Sequence, residues 1–338
     1  MILKSPPLLS PVNNPIFPDV RLFIMKAIVL KEQGGVENFT FEFVPVPNIK
    51  DDEVLIKVKA VSINPADAIV RENKSVSWIF GEELPLILGW DVSGQVVEKG
   101  ANVTNIEIGD DVFGVLKHPN IGRTYAEFVV APASQLAVKP KNISHEQAAA
   151  SALAALTALQ PINKVGIKEN DRVLITAAGG GVGHFAVQFA KYFGGYVLAL
   201  ASGAKKDFVI GLGADEFIDY QKGPFEEVVK DIDLVIEAVK ADGHINRSME
   251  VLKPGGSLIS LWSGITADEA LKAKRLNIHA FYNMITYSGP DMEFVAKLLQ
   301  EGKLVPHVSQ VFSWTEIAKA HLEIEKGHTQ GKIVIAMD

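Results

Sequence analysis

Apolar and polar residues form two different patterns along the chain. Residues 25–148 contain short apolar runs, such as those around 54–61 and 92–98, with Gly and Pro residues between them. Short strands at this spacing predict a compact, barrel-like domain. Residues 1–24 instead carry five prolines, which break regular elements. This segment is interpreted as a flexible tail or as the result of a start codon assigned too far upstream, with the domain starting at Met25.

The second pattern begins near residue 144. Ser144 and Gln147 have the spacing of a capping box and predict the start of a helix. From Arg172 onward, apolar strands alternate with helical segments, which predicts a doubly wound parallel sheet over residues 149–305. The chain becomes β-like again over residues 306–338, apart from one helix, and this segment is predicted to rejoin the first domain.

Composition and charge exclude several classes of function. A length of 338 residues favours two domains, and a net charge of −7 makes nucleic acid a poor partner. The absence of cysteine excludes disulfides, thiol catalysis and cysteine-ligated metals and is compatible with a cytoplasmic location. The longest apolar run, residues 148–159, is shorter than the roughly 20 residues that span a bilayer. We expect a cytoplasmic protein without a membrane span.

A glycine-rich turn follows the apolar run at residues 173–176. Aligned to the dinucleotide fingerprint, Ala178, Gly180 and Gly183 take the three key places. Gly180 allows close approach of a pyrophosphate, and Gly183 allows the next helix to pack against the strand. That helix would direct its N-terminal amides at the phosphates. The phosphate-binding residues predicted here are Gly180, Gly181, Val182 and Gly183.

The end of the next strand indicates which cofactor binds. NAD sites place Asp or Glu about 20 residues after the fingerprint, where it binds the ribose 2′-hydroxyl. Position 202 holds a serine, and Lys205 and Lys206 follow closely. A hydroxyl beside two ammonium groups attracts a 2′-phosphate, which a carboxylate would repel. The predicted cofactor is therefore NADPH.

Several further stretches match one known family. The chain resembles the zinc-free quinone oxidoreductase (zeta-crystallin-like) branch of the medium-chain dehydrogenase/reductase superfamily over residues 25–338. The matching stretches are Ser62–Asp67, Leu88–Gly94, Ala178–Gly183, Leu212–Asp215, Glu301–Leu304 and Gly331–Val334.

This resemblance implies a fold and a set of site residues. The fold class is α/β, with a GroES-like β-barrel catalytic domain (25–148 and 306–338) and a Rossmann NADP-binding domain (149–305). The resemblance implies that Ser202, Lys205 and Tyr220 surround the 2′-phosphate, although Gly327 stands where some relatives carry a phosphate-binding arginine. It places Asn64 and Thr157 near the nicotinamide. The remaining expected cofactor residues are Leu261, Trp262 and Phe281. Four aromatic residues, Trp90, Trp262, Phe281 and Tyr282, are either walls of the acceptor pocket or ordinary core residues.

The places of the zinc ligands in metal-dependent relatives hold other residues. Asn64 takes the first place and Trp90 lies in the second, and neither the histidine spacing nor a cysteine lobe indicates a metal. His321 and His328 are expected to be solvated. Asp91 is expected to be structural. Asn64 is the candidate catalytic residue, as an amide that binds substrate or the nicotinamide ribose, and the alternative is that it caps the loop against Pro65.

Three functions are compatible with these residues. The first is NADPH-dependent hydride transfer to a quinone-type acceptor without a metal. The second is reduction of the C=C bond of an enone or alkenal, which uses the same cofactor site. The third, of another class, is a non-catalytic NADPH-binding or structural, crystallin-like protein. The expected partners are a small electrophilic acceptor and a second copy of the chain.

Overall fold

The structure, a computed structural model, describes residues 24–337. The tail predicted for residues 1–24 lies outside them, apart from Ile24. The first part of the chain forms the elements β1 (Ile24–Leu30), β2 (Phe39–Pro45), β3 (Glu53–Ile63), α1 (Pro65–Glu72), β4 (Asp91–Lys99), β5 (Asp111–Val115), β6 (Phe128–Pro132), β7 (Leu136–Val138), α2 (His145–Ala150) and α3 (Leu153–Val165).

The remainder of the chain alternates between strands and helices before it returns to the first sheet. Its elements are β8 (Arg172–Ile175), α4 (Gly183–Tyr192), β9 (Tyr196–Ala201), α5 (Lys206–Gly211), β10 (Glu216–Asp219), α6 (Phe225–Val228), β11 (Ile232–Glu237), α7 (His244–Met249), β12 (Leu252–Ser260), α8 (Ala267–Leu276), β13 (His279–Tyr282), α9 (Gly289–Gln300), β14 (Val308–Ser313), α10 (Ile317–Glu325) and β15 (Lys332–Ala336).

A seven-stranded sheet joins the C-terminal strands β14 and β15 to strands of the first part of the chain, while β1 and β2 form a separate two-stranded sheet. Its order is β14-β15-β3-β4-β5-β7, with β6 paired to β3, and only β14 and β15 are parallel. The antiparallel register of β15 on β3 pairs Ile333 with Ile63. Consequently Lys332, at the start of β15, lies beside Asn64, which directly follows β3.

The second sheet is a six-stranded parallel sheet in the order β10-β9-β8-β11-β12-β13. Helices cover both faces, so the central strand β8 is apolar and buried from Val173 to Ile175. Because all strands are parallel, their carboxyl ends meet at one edge, where open α/β sheets bind ligands. The strand order reverses between β8 and β11. The ligand crevice is therefore expected at the carboxyl ends of these two strands.

Local sequence signals account for several element boundaries. Ser144 and Gln147 form both hydrogen bonds of the predicted capping box. The apolar run 148–159 is not one helix, because α2 ends at Ala150 and α3 starts at Leu153. No helix within residues 24–337 is long and apolar enough to cross a membrane.

The expectation that His321 is solvated is wrong. Its side chain lies on the inner face of α10 and is completely buried, with Nε2 3.2 Å from the Tyr125 hydroxyl and its ring edge-on to Phe39. Helix α10 ends before Gly327, so His321 and His328 do not share a helix face; His328 is exposed. Burial, together with the nearby Arg71 guanidinium, lowers the pKa of His321 to about 3.

The buried His321 should make stability depend on pH. Below pH 6.5 the unfolded chain binds a proton that the folded chain excludes down to about pH 3, so stability falls as the pH drops. His321→Gln removes this group, and its free energy of unfolding relative to wild type should rise by about 2 kcal/mol between pH 7 and pH 5. Urea unfolding at both pH values measures this difference, with exposed His328→Gln as the matched control. A constant difference would show that His321 binds a proton equally well in the folded and unfolded chain.

Candidate functional site

The glycine-rich turn connects β8 to α4 and has the geometry of a phosphate-binding turn. A Cβ atom at Gly183 would lie 2.2 Å from the Ala177 carbonyl oxygen, so only glycine allows this close packing of helix on strand. At Gly180 a Cβ would lie 3.2 Å from the same oxygen. Helix α4 begins at Gly183, so the positive end of its dipole lies at the turn. These features fit the pyrophosphate of a dinucleotide.

The C-terminal segment runs along this turn. The Gly331 amide donates to the Gly179 carbonyl at 3.1 Å, and the Lys205 ammonium donates to the Thr329 carbonyl at 2.8 Å. The hydroxyl of Thr329 is buried and has no hydrogen-bond partner among the described residues. The turn is therefore bordered by a polar segment with an unused hydroxyl, as an anionic ligand would require.

Strand register brings the predicted 2′-phosphate residues to one place. Ala201 pairs with Asp219, the last residues of β9 and β10. Ser202 and Tyr220 directly follow them. Tyr220 is 53% exposed, so its ring is free to cover an adenosine. Lys205 crosses Gly179, where a Cβ would lie 2.6 Å from its Cδ. Lys206 is exposed at the first residue of α5.

The adenosine end also contains a carboxylate that the sequence analysis did not anticipate. A Cβ on Gly203 would lie 2.7 Å from Oδ2 of Asp219, so this acid borders the turn after β9. Its other oxygen, Oδ1, accepts from the Gln221 amide at 3.0 Å and caps the turn after β10. Burial lowers the pKa of Lys205, which a phosphate beside it would raise again.

Asn64 belongs to a buried polar cluster between the two sheets. The Lys332 ammonium donates to its Oδ1 at 2.5 Å and to the Ile63 carbonyl at 3.1 Å. Nδ2 of Asn64 donates to Asp91 at 2.9 Å and is 3.3 Å from Asp67. These side chains are at most 3% exposed, so their mutual contacts replace water.

The partners of Asn64 determine the orientation of its amide. A flipped amide would place its NH2 group against the Lys332 ammonium and its oxygen against two carboxylates. In the observed orientation both N–H groups face Asp91 and Asp67, and Oδ1 accepts from Lys332. Asn64 is also the N-cap of α1 and forms a capping box with Asp67. Its amide therefore has no N–H left to donate to a substrate carbonyl.

Burial shifts the pKa of each charged group in this cluster. It raises the pKa of Asp67 to about 7, because desolvation outweighs the hydrogen bonds from Asn64. It also raises the pKa of Asp91, against the opposing effect of Lys332, and lowers the pKa of Lys332. Burial thus disfavours the charged form of each group, and the contacts of Lys332 with the carboxylates oppose this effect.

Asp91 connects this cluster to helix α3. Its Oδ1 accepts from the Leu153 amide at 2.7 Å at the start of the helix, which supports the structural role expected for Asp91. Thr157 lies one turn further and donates to the Leu153 carbonyl at 2.7 Å. Because that bond uses the hydroxyl proton, Thr157 can only accept from a ligand.

A second buried cluster, around Glu237, lies at the carboxyl end of β11. Its carboxylate accepts from the Thr176 hydroxyl at 2.8 Å, the Val239 amide at 2.9 Å and His244 at 2.9 Å, and Ser248 also donates to it. Thr176 precedes the glycine-rich turn, so this cluster fixes the turn relative to the neighbouring loop. The sequence analysis missed Glu237 as a site residue.

The remaining expected residues lie at the same edge of the sheet, except Trp90. Leu261 and Trp262 follow β12, and the Trp262 indole donates to the Ala238 carbonyl at 2.6 Å. Phe281 and Tyr282, in β13, are partly buried, and the Lys164 ammonium lies over the Phe281 ring. Trp90 is only 1% exposed and donates to the Asn120 carbonyl, so it is a core residue.

Within residues 24–337, no three His, Asp or Glu side chains are grouped as metal ligands. The sequence analysis found Asn64 but overlooked Lys332, although Lys332 stands in the Gly331–Val334 stretch that it quoted. The signal was a lysine at the first position of an otherwise apolar strand.

Comparisons with known proteins agree with this architecture. Two family models match, an alcohol dehydrogenase GroES-like domain over residues 50–141 and a zinc-binding dehydrogenase over residues 212–335. The human NAD(P)H oxidoreductase RTN4IP1, mitochondrial, is 32% identical, with 93% of this chain and 90% of the human protein covered. The chloroplastic NADPH-dependent alkenal/one oxidoreductase of Arabidopsis thaliana is 33% identical, with 92% and 79% covered.

A solved structure gives the same result. The quinone oxidoreductase from Coxiella burnetii superimposes with a TM-score of 0.86 at 36% identity, with 93% of this chain and 100% of that chain covered. Both the fold class and the predicted resemblance are confirmed. The chain belongs to the medium-chain dehydrogenase/reductase superfamily, in its quinone oxidoreductase branch.

Proposed function

We propose that this protein is an NADPH-dependent reductase that acts on a small electrophilic carbonyl compound, a quinone or an α,β-unsaturated ketone or aldehyde, without a metal. The observation that carries the proposal is the contact between Lys332 and Asn64. Asn64 stands at the first zinc-ligand place of metal-dependent relatives. The Asn64 oxygen accepts from the Lys332 ammonium. The side chain of Lys332 passes Gly181 of the glycine-rich turn.

Electrophilic acceptors suit a site of this kind. NADPH held at the glycine-rich turn would supply hydride chemistry for an electron-poor centre of the acceptor, and the reduced acceptor would then need one proton, which water can provide. The protein's task is to align the two reactants, and the buried clusters around Asn64 and Glu237 hold the cleft residues in place. Oxidation of a simple alcohol differs, because the alkoxide it requires needs stronger stabilisation.

Both acceptor classes have support among the relatives. The Coxiella burnetii protein is named a quinone oxidoreductase, and the Arabidopsis thaliana protein an alkenal/one oxidoreductase. Quinone reduction is our first choice, and C=C reduction of enones or alkenals is the alternative. A non-catalytic NADPH-binding role is the third, and turnover with any of these acceptors would exclude it.

The same proposal includes an assembly and a location. Strand β13 ends the six-stranded sheet, and within residues 24–337 no strand pairs with its outer side. Pairing of two copies along β13 would give a homodimer. The cytoplasmic location rests on composition alone, since the human relative is named mitochondrial and the plant relative chloroplastic.

NADPH should bind more tightly than NADH. Ser202 and Lys205 border the proposed 2′-phosphate site, which also contains the carboxylate of Asp219. Lys205→Glu should weaken NADPH binding by about 1–3 kcal/mol and leave NADH binding nearly unchanged. Titration calorimetry with both cofactors measures this, with Lys168→Glu as the control, since Lys168 is exposed and precedes β8 at the opposite edge of the sheet. Equal affinities of the wild type for the two cofactors would contradict the assignment.

Activity should depend on the acceptor and not on a metal. After exhaustive chelation, the protein should oxidise NADPH with quinones or enones and show negligible oxidation of simple alcohols with NADP⁺. Product analysis separates hydroquinone from saturated carbonyl, and elemental analysis should find no stoichiometric zinc. Activity that disappears on chelation and returns with zinc would overturn the metal-free proposal.

A further inference from the structure

The reaction site needs a hydrogen-bond donor, and Asn64 does not supply it. Both N–H groups of its amide are directed at Asp91 and Asp67. A carbonyl compound binds through its oxygen, which requires a donor. If the cleft provides a side-chain amide donor for the reactants, it must come from another residue.

Asn283 has a free donor at the ligand-binding edge. It directly follows β13, and its backbone amide donates to the Ser260 carbonyl at 3.0 Å, which holds it against the end of β12. Its side-chain Nδ2 is buried and has no partner among the described residues. Buried N–H groups nearly always have a partner, so an unpaired one at a ligand-binding edge indicates a missing ligand or water.

The segment that carries Asn283 forms a wall between the two parts of the molecule. Nδ1 of His118 is 3.1 Å from the Ile285 carbonyl, and the Thr286 amide donates to Gln160 at 3.1 Å. The His118 ring lies 5.6 Å from that of Trp90, the neighbour of Asp91 in the Asn64 cluster. The segment after β13 therefore reaches from the dinucleotide sheet to the catalytic sheet.

We propose that Nδ2 of Asn283 donates a hydrogen bond to a carbonyl oxygen of the bound reactants. That oxygen belongs either to the nicotinamide carboxamide or to the acceptor, because both present the same chemistry to an amide N–H. Asn283 is then a binding residue of the cleft, and Asn64 an acceptor held by Lys332. This inference rests on the proposed function, since it assumes that NADPH and a carbonyl acceptor meet at this edge.

Two variants of Asn283 test the proposal. Asn283→Ala removes the donor, and the nearly isosteric Asn283→Asp replaces it with an acceptor oxygen that repels a carbonyl. Asn38→Ala is the matched control, since the Asn38 amide donates to the Glu32 carbonyl at an exposed site in the catalytic part. Urea unfolding of all variants checks that the fold is intact. Asn283→Asp retains the side-chain volume, so it serves if the alanine variant unfolds.

Binding and kinetic measurements then identify the oxygen. If it belongs to the carboxamide, both Asn283 variants should bind NADPH about 3- to 10-fold more weakly, while 2′-phospho-ADP-ribose, which lacks nicotinamide, binds as before. If it belongs to the acceptor, NADPH affinity should stay constant, and kcat/KM for the acceptor should fall about 3- to 10-fold with alanine and further with aspartate. The control should change neither quantity.

The proposal is overturned if folded Asn283→Asp changes neither NADPH affinity nor kcat/KM by more than about twofold, less than one hydrogen bond would give. A different result would refute the proposed function instead. If wild-type protein binds NADPH but reduces no quinone or enone, the proposed reductase function is wrong. The affinities of the Asn283 variants for NADPH and for 2′-phospho-ADP-ribose still test the role of Asn283. In that case unchanged NADPH affinity of both variants overturns the inference as well.

Discussion

The Lys332 ammonium is the constraint on which the arrangement of this site depends. It lies in a nearly water-free space between the two sheets, 2.5 Å from the Asn64 oxygen and 3.8 Å from the Asp91 carboxylate. An unpaired charge in such a place would be costly, so each of these groups requires the others. Asp91 in turn holds the first amide of α3, and Lys332 begins β15. One cation thereby connects the catalytic sheet, helix α3 and the glycine-rich turn.

This connection explains how the fold prepares for hydride transfer. The turn and α4 provide a place for phosphates, and the side chain of Lys332 passes close to Gly181 on its way to Asn64. Lys332 therefore connects the phosphate-binding turn directly to the Asn64 amide and fixes the orientation of that amide. A second buried carboxylate, Glu237, fixes the other side of the turn. In the proposed function, these contacts serve to align the two reactants.

Patterns that depend on neighbouring residues could be predicted from the sequence. The strand–turn–helix around Gly180 and the capping box at Ser144 are local, and both occur in the structure. Contacts between distant segments could not be predicted in the same way. Lys332 and Asn64 are 268 positions apart. His321 was expected in solvent, because α10 alone does not show which face packs on Tyr125. Asp219 lies beside the proposed 2′-phosphate site because the register of β9 and β10 pairs it with Ala201, and this register cannot be read from local sequence.

The most direct test is the free energy of unfolding of Lys332→Met, Asp91→Asn and the double variant at pH 7. Removal of the ammonium alone leaves Asp91 buried without its cation, so Lys332→Met should lose about 3–5 kcal/mol. The double variant removes both charges and should recover a large part of that loss, which gives a coupling energy above about 1 kcal/mol. A single-variant loss below about 1 kcal/mol, or a double variant equal to the sum of the two singles, would contradict the role assigned to Lys332.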